Sequence, residues 1–205
     1  MNFLAHLVLA PQTPEGLVGS IAPDMIRGPL PKGLLPEVLA AAKEHQRIDR
    51  FTDAHRAFVR TRDRLCAVVD RRLAGVLADV LYDHVLARDW ARWRDDDFSA
   101  FVDSAERGLT EAIRHVPDRM RMIVNKMIEE QWLSSYATAT GIRARLESMS
   151  LRLSARLGRP MSLRISKPAL AEHYEAIADD FAELWPDLRL DVDQYRGDAR
   201  DRMAG

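Results

Sequence analysis

Histidine and aspartate side chains recur among apolar residues in the first 84 positions of the chain. An ionised carboxylate is costly to bury unless a cation, a metal ion or hydrogen bonds compensate its charge. Several such groups in apolar segments therefore indicate a shared partner, and a divalent metal ion is the simplest candidate. The residues concerned are His6, Asp24, His45, Asp49, Asp79, Asp83 and His84.

The spacing of these residues divides them into pairs. His45 and Asp49 are four residues apart, as are Asp79 and Asp83, and on a helix such residues project from one face with about 5–6 Å between Cβ atoms. This spacing suits two ligands of one ion, or a histidine oriented by a carboxylate. His84 follows Asp83 directly and is rotated from it by about 100°. One of these two is therefore expected to bind metal while the other contacts substrate or supports a ligand.

Each motif also has a simpler interpretation when it is taken alone. A single histidine–aspartate pair on a helix is usually a surface pair, and a single histidine such as His6 is more often a core residue bonded to a carbonyl. Asp24 follows Pro23, and two interpretations of it are equally supported. It is either the N-cap of a helix that starts after a proline break, or a carboxylate at a helix break that faces the metal or the attacking water. Histidine and carboxylate ligands suit manganese, iron, zinc or magnesium.

A helical period dominates the elements that must position these residues. Apolar residues recur at three- and four-residue steps, as in the segment from Leu73 to Val85, and no clean two-residue alternation is present. Thr13-Pro14, Pro36-Glu37 and Pro117-Asp118 mark helix starts, and Gly158 marks the end of a helix that begins near Thr140. The sequence predicts an all-α, single-domain bundle of about eight helices.

Length and composition limit the class of protein. The chain has 205 residues, 47% of them hydrophobic and 30% charged, which suits one globular domain over residues 1–190. The polar segment 191–205 is expected to be a poorly ordered tail. No run of about 18 apolar residues predicts a membrane span, and the apolar start lacks the basic residues of a signal peptide. A net charge of −1 argues against a dedicated nucleic-acid binder. The single cysteine, Cys66, favours a reduced, cytoplasmic compartment.

One segment departs from the overall charge balance. Between Lys43 and Arg72 nine basic residues face five acidic ones, a local charge of +4. A basic surface beside the histidines and aspartates would steer an acidic partner towards them. The alternative is a solvated, arginine-rich helix face, which is the more common outcome.

Several motifs, in order along the chain, resemble bacterial acyl carrier protein phosphodiesterases. The resemblance covers most of the chain and weakens after about residue 160. The matching segments are Met1-Asn2-Phe3-Leu4-Ala5-His6-Leu7, the glycine-to-aspartate segment Gly19–Asp24, the run from His45 to Asp53, Asp79-Val80-x-x-Asp83-His84, Trp90, and Trp132-Leu133-x-x-Tyr136. Pro23, Gln46 and His55 depart from the family pattern, and His55 is expected to be a surface residue.

The resemblance implies an HD-domain-like metallohydrolase that removes the 4′-phosphopantetheine group from holo-acyl carrier protein, with Mn²⁺ as cofactor. It implies metal binding by His6, Asp24, His45, Asp49 and Asp83, and catalytic roles for Asp24, Arg47 and His84. The expected contacts with the substrate and the carrier protein are Arg47, Arg50, Arg56 and Asp79. Two other functions fit the residues alone: an HD-type hydrolase of a small nucleotide or phosphate ester, and a non-catalytic helical protein that binds a partner through the arginine-rich segment.

Overall fold

A computed structural model describes residues 1–26, 28–163 and 167–204, and within these ranges the chain is helical with no strand. Nine of its eleven α-helices have seven or more residues, which confirms the predicted all-α, single-domain class and slightly exceeds the expected eight. The helices are α1 Phe3–Leu9, α2 Pro14–Met25, α3 Pro36–Ala54, α4 Arg56–Leu65, α5 Arg71–Arg88, α6 Trp90–Trp93, α7 Phe98–Ala112, α8 Asp118–Glu129, α9 Trp132–Ser135, α10 Ala139–Leu157 and α11 Lys167–Ala204, with a 3-10 turn at Ile113–His115.

No helix in these ranges combines the length and apolar character needed to cross a bilayer.

Helix α5 runs through the centre of the bundle. Leu77, Leu81 and Tyr82 have no exposed surface, and the helix contacts α1, α4, α10 and α11. Burial of its apolar side chains is the main favourable term in folding. The polar residues that α5 carries therefore need partners from the surrounding helices.

Helices α2 and α3 pack closely side by side. A Cβ atom at Gly19 would lie 2.5 Å from the carbonyl oxygen of Val38, so only glycine permits this approach. The close packing brings the last two turns of α2 against α3 between Val38 and His45. Ser20 and Asp24 thereby face His45.

Local sequence signals placed most helix ends correctly. The Thr13 hydroxyl accepts from the Gly16 amide at 3.1 Å, α3 starts at Pro36, and Gly158 ends α10 with φ +64°. The expectation of a helix break at Pro23 was wrong, because α2 continues through Pro23 to Met25. Asp24 therefore lies in the last turn of a helix and is not an N-cap.

The C-terminal segment differs from the expected poorly ordered tail. Helix α11 continues through it to Ala204. Val192 is 2% exposed, and the Arg196 guanidinium donates to the Glu44 carboxylate and to the carbonyl of Leu9. The polar residues of this segment have partners on distant helices, which a local polarity pattern cannot reveal.

Candidate metal and phosphoester site

Three of the predicted residues converge where α1 crosses α3. One carboxylate oxygen of Asp49 lies 3.0 Å from Nε2 of His45, and the other lies 3.1 Å from Nε2 of His6. One ligand atom from each residue can be chosen so that all three lie within 4.8 Å of one another. Two imidazoles and a carboxylate are a common donor set for a divalent transition metal that keeps open positions.

The orientation of His45 suits a ligand role. Its Nδ1 lies 2.6 Å from the carbonyl oxygen of Ser20 and so donates to it, which leaves the Nε2 lone pair of the neutral ring directed at Asp49 and Asp24. Burial lowers the pKa of His45, but Asp49 and Asp24 outweigh burial and raise it above its usual value. A metal ion would therefore displace a proton when it binds His45.

His6 is a buried histidine that approaches Asp49. Its side chain is inaccessible to solvent, and within the described ranges neither ring nitrogen has a well-aligned hydrogen-bond partner, although Nε2 lies 3.1 Å from Asp49. Its ring stacks on that of His45 with centroids 3.8 Å apart. Burial lowers the pKa of His6 to about 3, so the ring is neutral. A neutral, buried imidazole with an unused lone pair beside a carboxylate fits a metal ligand.

The amino group of Met1 adds a positive charge beside these residues. Its nitrogen lies 3.0 Å from Asp79 and 3.4 Å from Asp49. Burial alone would lower the pKa of this amine, but the two carboxylates raise it to about 11. Burial also opposes ionisation of Asp49, but His45, His6 and the Met1 amine together lower the pKa of that carboxyl below its usual value. Asp79 thus contacts the cluster through Met1 and is not one of the three converging residues.

Asp24 lies at the rim of the cluster. Its carboxylate oxygen is 3.7 Å from Nε2 of His45, and 38% of the side chain is exposed. Desolvation of the carboxyl raises the pKa of Asp24 to about 6, although His45 opposes this shift. Asp24 is therefore open to solvent on one side and next to a candidate ligand on the other, which suits a group that orients a water molecule.

Asp83 faces the backbone of α1. Its two carboxylate oxygens accept from the amides of Leu4 at 2.7 Å and Ala5 at 3.2 Å, and its burial raises its pKa to about 7. A carboxylate at a helix N-terminus satisfies free amides and complements the helix dipole. Asp83 therefore fixes the start of the helix that carries His6, and it lies outside the converging group.

His84 points elsewhere, as its rotation from Asp83 requires. Its Nδ1 donates to the carbonyl oxygen of Tyr136 at 2.6 Å, and Arg88 and Asp89 are the charged groups that influence its pKa. Burial lowers its pKa. The structure thus separates the i,i+4 pair on α3, which joins His6, from the residues on α5.

Most of the arginines that were predicted to contact the substrate form ion pairs within the protein. Arg47 donates a two-pronged hydrogen bond to Asp191 at 3.0 and 2.5 Å, and Arg56 pairs with Glu183. Arg50 is exposed, and no ion pair to it is found in the described ranges. The alternative of an ordinary helix face therefore accounts for much of the arginine-rich segment, since acidic residues of α11 neutralise it.

His55 is not the surface residue that we expected. Its Nδ1 accepts from the Ala57 amide at 3.2 Å, which caps α4, and its Nε2 lies 3.2 Å from Asp187. Its side chain is only 11% exposed. The residue joins α4 to α11 and lies apart from the three converging residues.

Sequence reasoning missed two contributors to this region. The Ser20 carbonyl orients His45, and the Tyr136 carbonyl orients His84. A backbone carbonyl leaves no signal in the sequence, but Tyr136 was already part of a motif without a role, Trp132-Leu133-x-x-Tyr136. That motif was the signal that could have drawn attention to the surroundings of His84.

Comparison with known proteins gives one consistent result. The family model described as acyl carrier protein phosphodiesterase matches residues 1–188. A Yersinia pestis protein named acyl carrier protein phosphodiesterase is 31% identical over 191 residues, covering 92% of this chain and 95% of that protein. A protein of the same name from Escherichia coli K12 (DH10B) is 33% identical over 187 residues, covering 91% and 94%. No solved structure matches this chain.

Proposed function

The chain belongs to the acyl carrier protein phosphodiesterase family, and we propose that it is a metal-dependent enzyme that hydrolyses the 4′-phosphopantetheine group from holo-acyl carrier protein. The observation that carries the metal dependence is the convergence of His6, His45 and Asp49 within 4.8 Å of one another. The family relationship supports the substrate, and the cluster supports the chemistry.

His6, His45 and Asp49 would hold the metal ion, with Asp24 at its edge. When bound, a divalent ion such as Mn²⁺ lowers the pKa of coordinated water and neutralises charge on phosphoryl oxygens. The resemblance favours manganese, and magnesium, iron and zinc suit the same donor types. The contribution of the chain itself is to present two imidazoles and a carboxylate in a fixed arrangement. Ser20 fixes one ring and Asp83 fixes the helix that carries the other.

Asp24 is the proposed general base. A carboxyl with a pKa of about 6 is largely ionised at neutral pH and is still basic enough to take a proton from a water molecule during attack on phosphorus. Its exposed side faces the solvent from which that water and the substrate arrive. Release of phosphopantetheine requires that the oxygen of water bonds to phosphorus while the bond from phosphorus to the serine oxygen of the carrier protein breaks. The serine oxygen leaves, takes up a proton to become the hydroxyl, and the phosphate stays on the pantetheine.

The carrier protein itself is acidic, and Arg50 is the arginine we propose for docking. It is exposed, adjacent in sequence to Asp49, and without an ion pair to any residue that the structure describes. Arg47 and Arg56, by contrast, are engaged by α11. We place the reaction in the cytoplasm, where Cys66 remains reduced and carrier proteins work in fatty acid biosynthesis.

Mass spectrometry of holo-acyl carrier protein tests this proposal directly. The carrier protein incubated with this enzyme and Mn²⁺ should lose the mass of phosphopantetheine, and a chelator should prevent the loss. Asp24→Asn should fold normally and lose most of the activity, because the amide cannot accept the proton. Asp103→Asn, which changes an exposed carboxylate on α7, should retain it. An unchanged carrier protein mass with several carrier proteins and metals would refute the proposal.

A further inference from the structure

The guanidinium of Arg145 on α10 is buried. It is 5% exposed, and within the described ranges its Nε atom has no hydrogen-bond partner. In the described part of the chain no carboxylate lies within ion-pair distance of it, and burial lowers its pKa. A buried charge is retained only where some group compensates it. An unpaired arginine at this depth therefore points to an anionic ligand.

The plane of this guanidinium is held by an aromatic ring. Its central carbon lies 3.9 Å from the centroid of the Trp132 ring, and Trp132 in turn packs against Phe3 at the start of α1, with centroids 5.7 Å apart. The Trp132 indole is itself fixed by donation to Glu130 at 2.9 Å. Stacking of this kind orders an arginine side chain without using its N–H groups. The Nε donor of Arg145 thus remains unpaired in the described part of the chain, beside Trp132 and the start of the helix that carries His6.

The Tyr136 hydroxyl lies next to this guanidinium. The residue is fully buried, and within the described ranges its hydroxyl has no well-aligned hydrogen-bond partner. Burial raises the pKa of the Tyr136 hydroxyl, the Asp83 and Asp24 carboxylates add to the increase, and Arg145 opposes it. Arg145 and the Tyr136 hydroxyl are thus neighbours, and Arg145 reaches the start of α1 through Trp132 and Phe3.

We propose that Arg145 and the Tyr136 hydroxyl form the oxyanion-binding part of the site and contact a non-bridging oxygen of the substrate phosphodiester. This inference rests on the proposed function and assigns to Arg145 the phosphate contact that the sequence assigned to Arg47. A planar guanidinium matches phosphate geometry with two parallel N–H donors. Arg47 cannot offer that fork while Asp191 occupies it. The competing interpretation of Arg145, a purely structural stack on Trp132, is the other outcome of the test.

Binding of inorganic phosphate separates the two interpretations without requiring turnover. Isothermal titration of the chelator-treated protein with phosphate should show saturable binding. Arg145→Gln should weaken this binding at least tenfold, and Tyr136→Phe should weaken it by a smaller factor. Arg143→Gln changes an exposed arginine two residues away on the same helix and should leave phosphate affinity unchanged. Circular dichroism and thermal melting establish that each variant is folded.

Arg145→Lys keeps the charge and most of the packing. It replaces Arg145→Gln in the phosphate titration if the glutamine variant fails to fold. Loss of the planar fork should still weaken phosphate binding several-fold. Equal phosphate affinity in wild type and a folded Arg145 variant, or no phosphate binding by wild type, would overturn the inference. If phosphate binds as expected but the carrier protein mass never changes, the oxyanion site stands and the proposed reaction fails.

Discussion

The two oxygens of Asp49 are divided between two histidines, with His45 on its own helix at 3.0 Å and His6 from α1 at 3.1 Å. The carboxylate is thus shared by rings that stack on each other 3.8 Å apart. Such an arrangement concentrates lone pairs and negative charge at one point, which is the condition for cation binding. Asp49 is therefore the residue that both imidazoles contact.

Asp49→Asn should therefore abolish tight metal binding. Removing only an outer partner of a ligand costs about 10–100-fold in metal affinity, and removing the anionic ligand should cost at least that much. Titration of the metal-free protein with Mn²⁺, followed by electron paramagnetic resonance, measures the change. Asp63→Asn, at a carboxylate that is 67% exposed on α4, is the matched control. Unaltered Mn²⁺ affinity in Asp49→Asn would place the metal elsewhere.

A second prediction concerns Arg47, whose expected phosphate contact the structure replaces with Asp191. Arg47→Gln and Asp191→Asn should each lower the free energy of unfolding by about 1 kcal/mol, because the pair is bidentate but partly exposed. In a double-mutant cycle by urea denaturation, the pair should show a coupling energy of similar size. The turnover number of Arg47→Gln should stay within about threefold of wild type. Loss of turnover without any coupling energy between Arg47 and Asp191 would indicate that Arg47 contacts the substrate instead.

Arg47 also shows where prediction from the sequence ends. The His45–Asp49 pair was predictable because helical spacing is local and places both side chains on one face. The partner of Arg47 is 144 residues away, and the amide partners of Asp83 are 78 and 79 residues away. Such contacts depend on how helices pack, which spacing does not specify. The same reason explains why α11 extends through the segment expected to be a tail.

The burial of Asp83 predicts a pH dependence of stability. Its pKa of about 7 in the folded protein exceeds the value of about 3.9 for an unfolded aspartate, so between these values the native state binds the extra proton. Its contribution to stability is complete below pH 4 and is lost as pH rises to 7. The slope approaches about 1.4 kcal/mol per pH unit. Asp83→Asn in the chelator-treated protein should remove this part of the pH dependence.

Guanidinium denaturation of both proteins between pH 4.5 and 8 measures the effect. The free energy of unfolding of Asp83→Asn relative to wild type should rise with pH up to about 7 and then level off. The exposed carboxylate of Asp103 on α7 provides the control, since Asp103→Asn should keep the wild-type slope. If the free energies of unfolding of wild type and Asp83→Asn differ by a constant amount over the whole pH range, Asp83 has the same pKa in the folded and unfolded states, and the prediction is wrong.

The last prediction concerns carrier protein docking through Arg50. Reversing its charge in Arg50→Glu should raise KM for holo-acyl carrier protein by about tenfold, because a repulsive contact replaces an attractive one and slows association. The kcat should change little, since Arg50 does not touch the three converging residues. The effect should shrink at high salt, where charge–charge interactions are screened. Arg72→Glu reverses an exposed charge in the same arginine-rich segment, two turns before Asp79 on α5, and should leave KM within about twofold. If Arg50→Glu and Arg72→Glu raise KM equally, binding of the carrier protein depends on the net charge of the enzyme, and Arg50 has no specific role in docking.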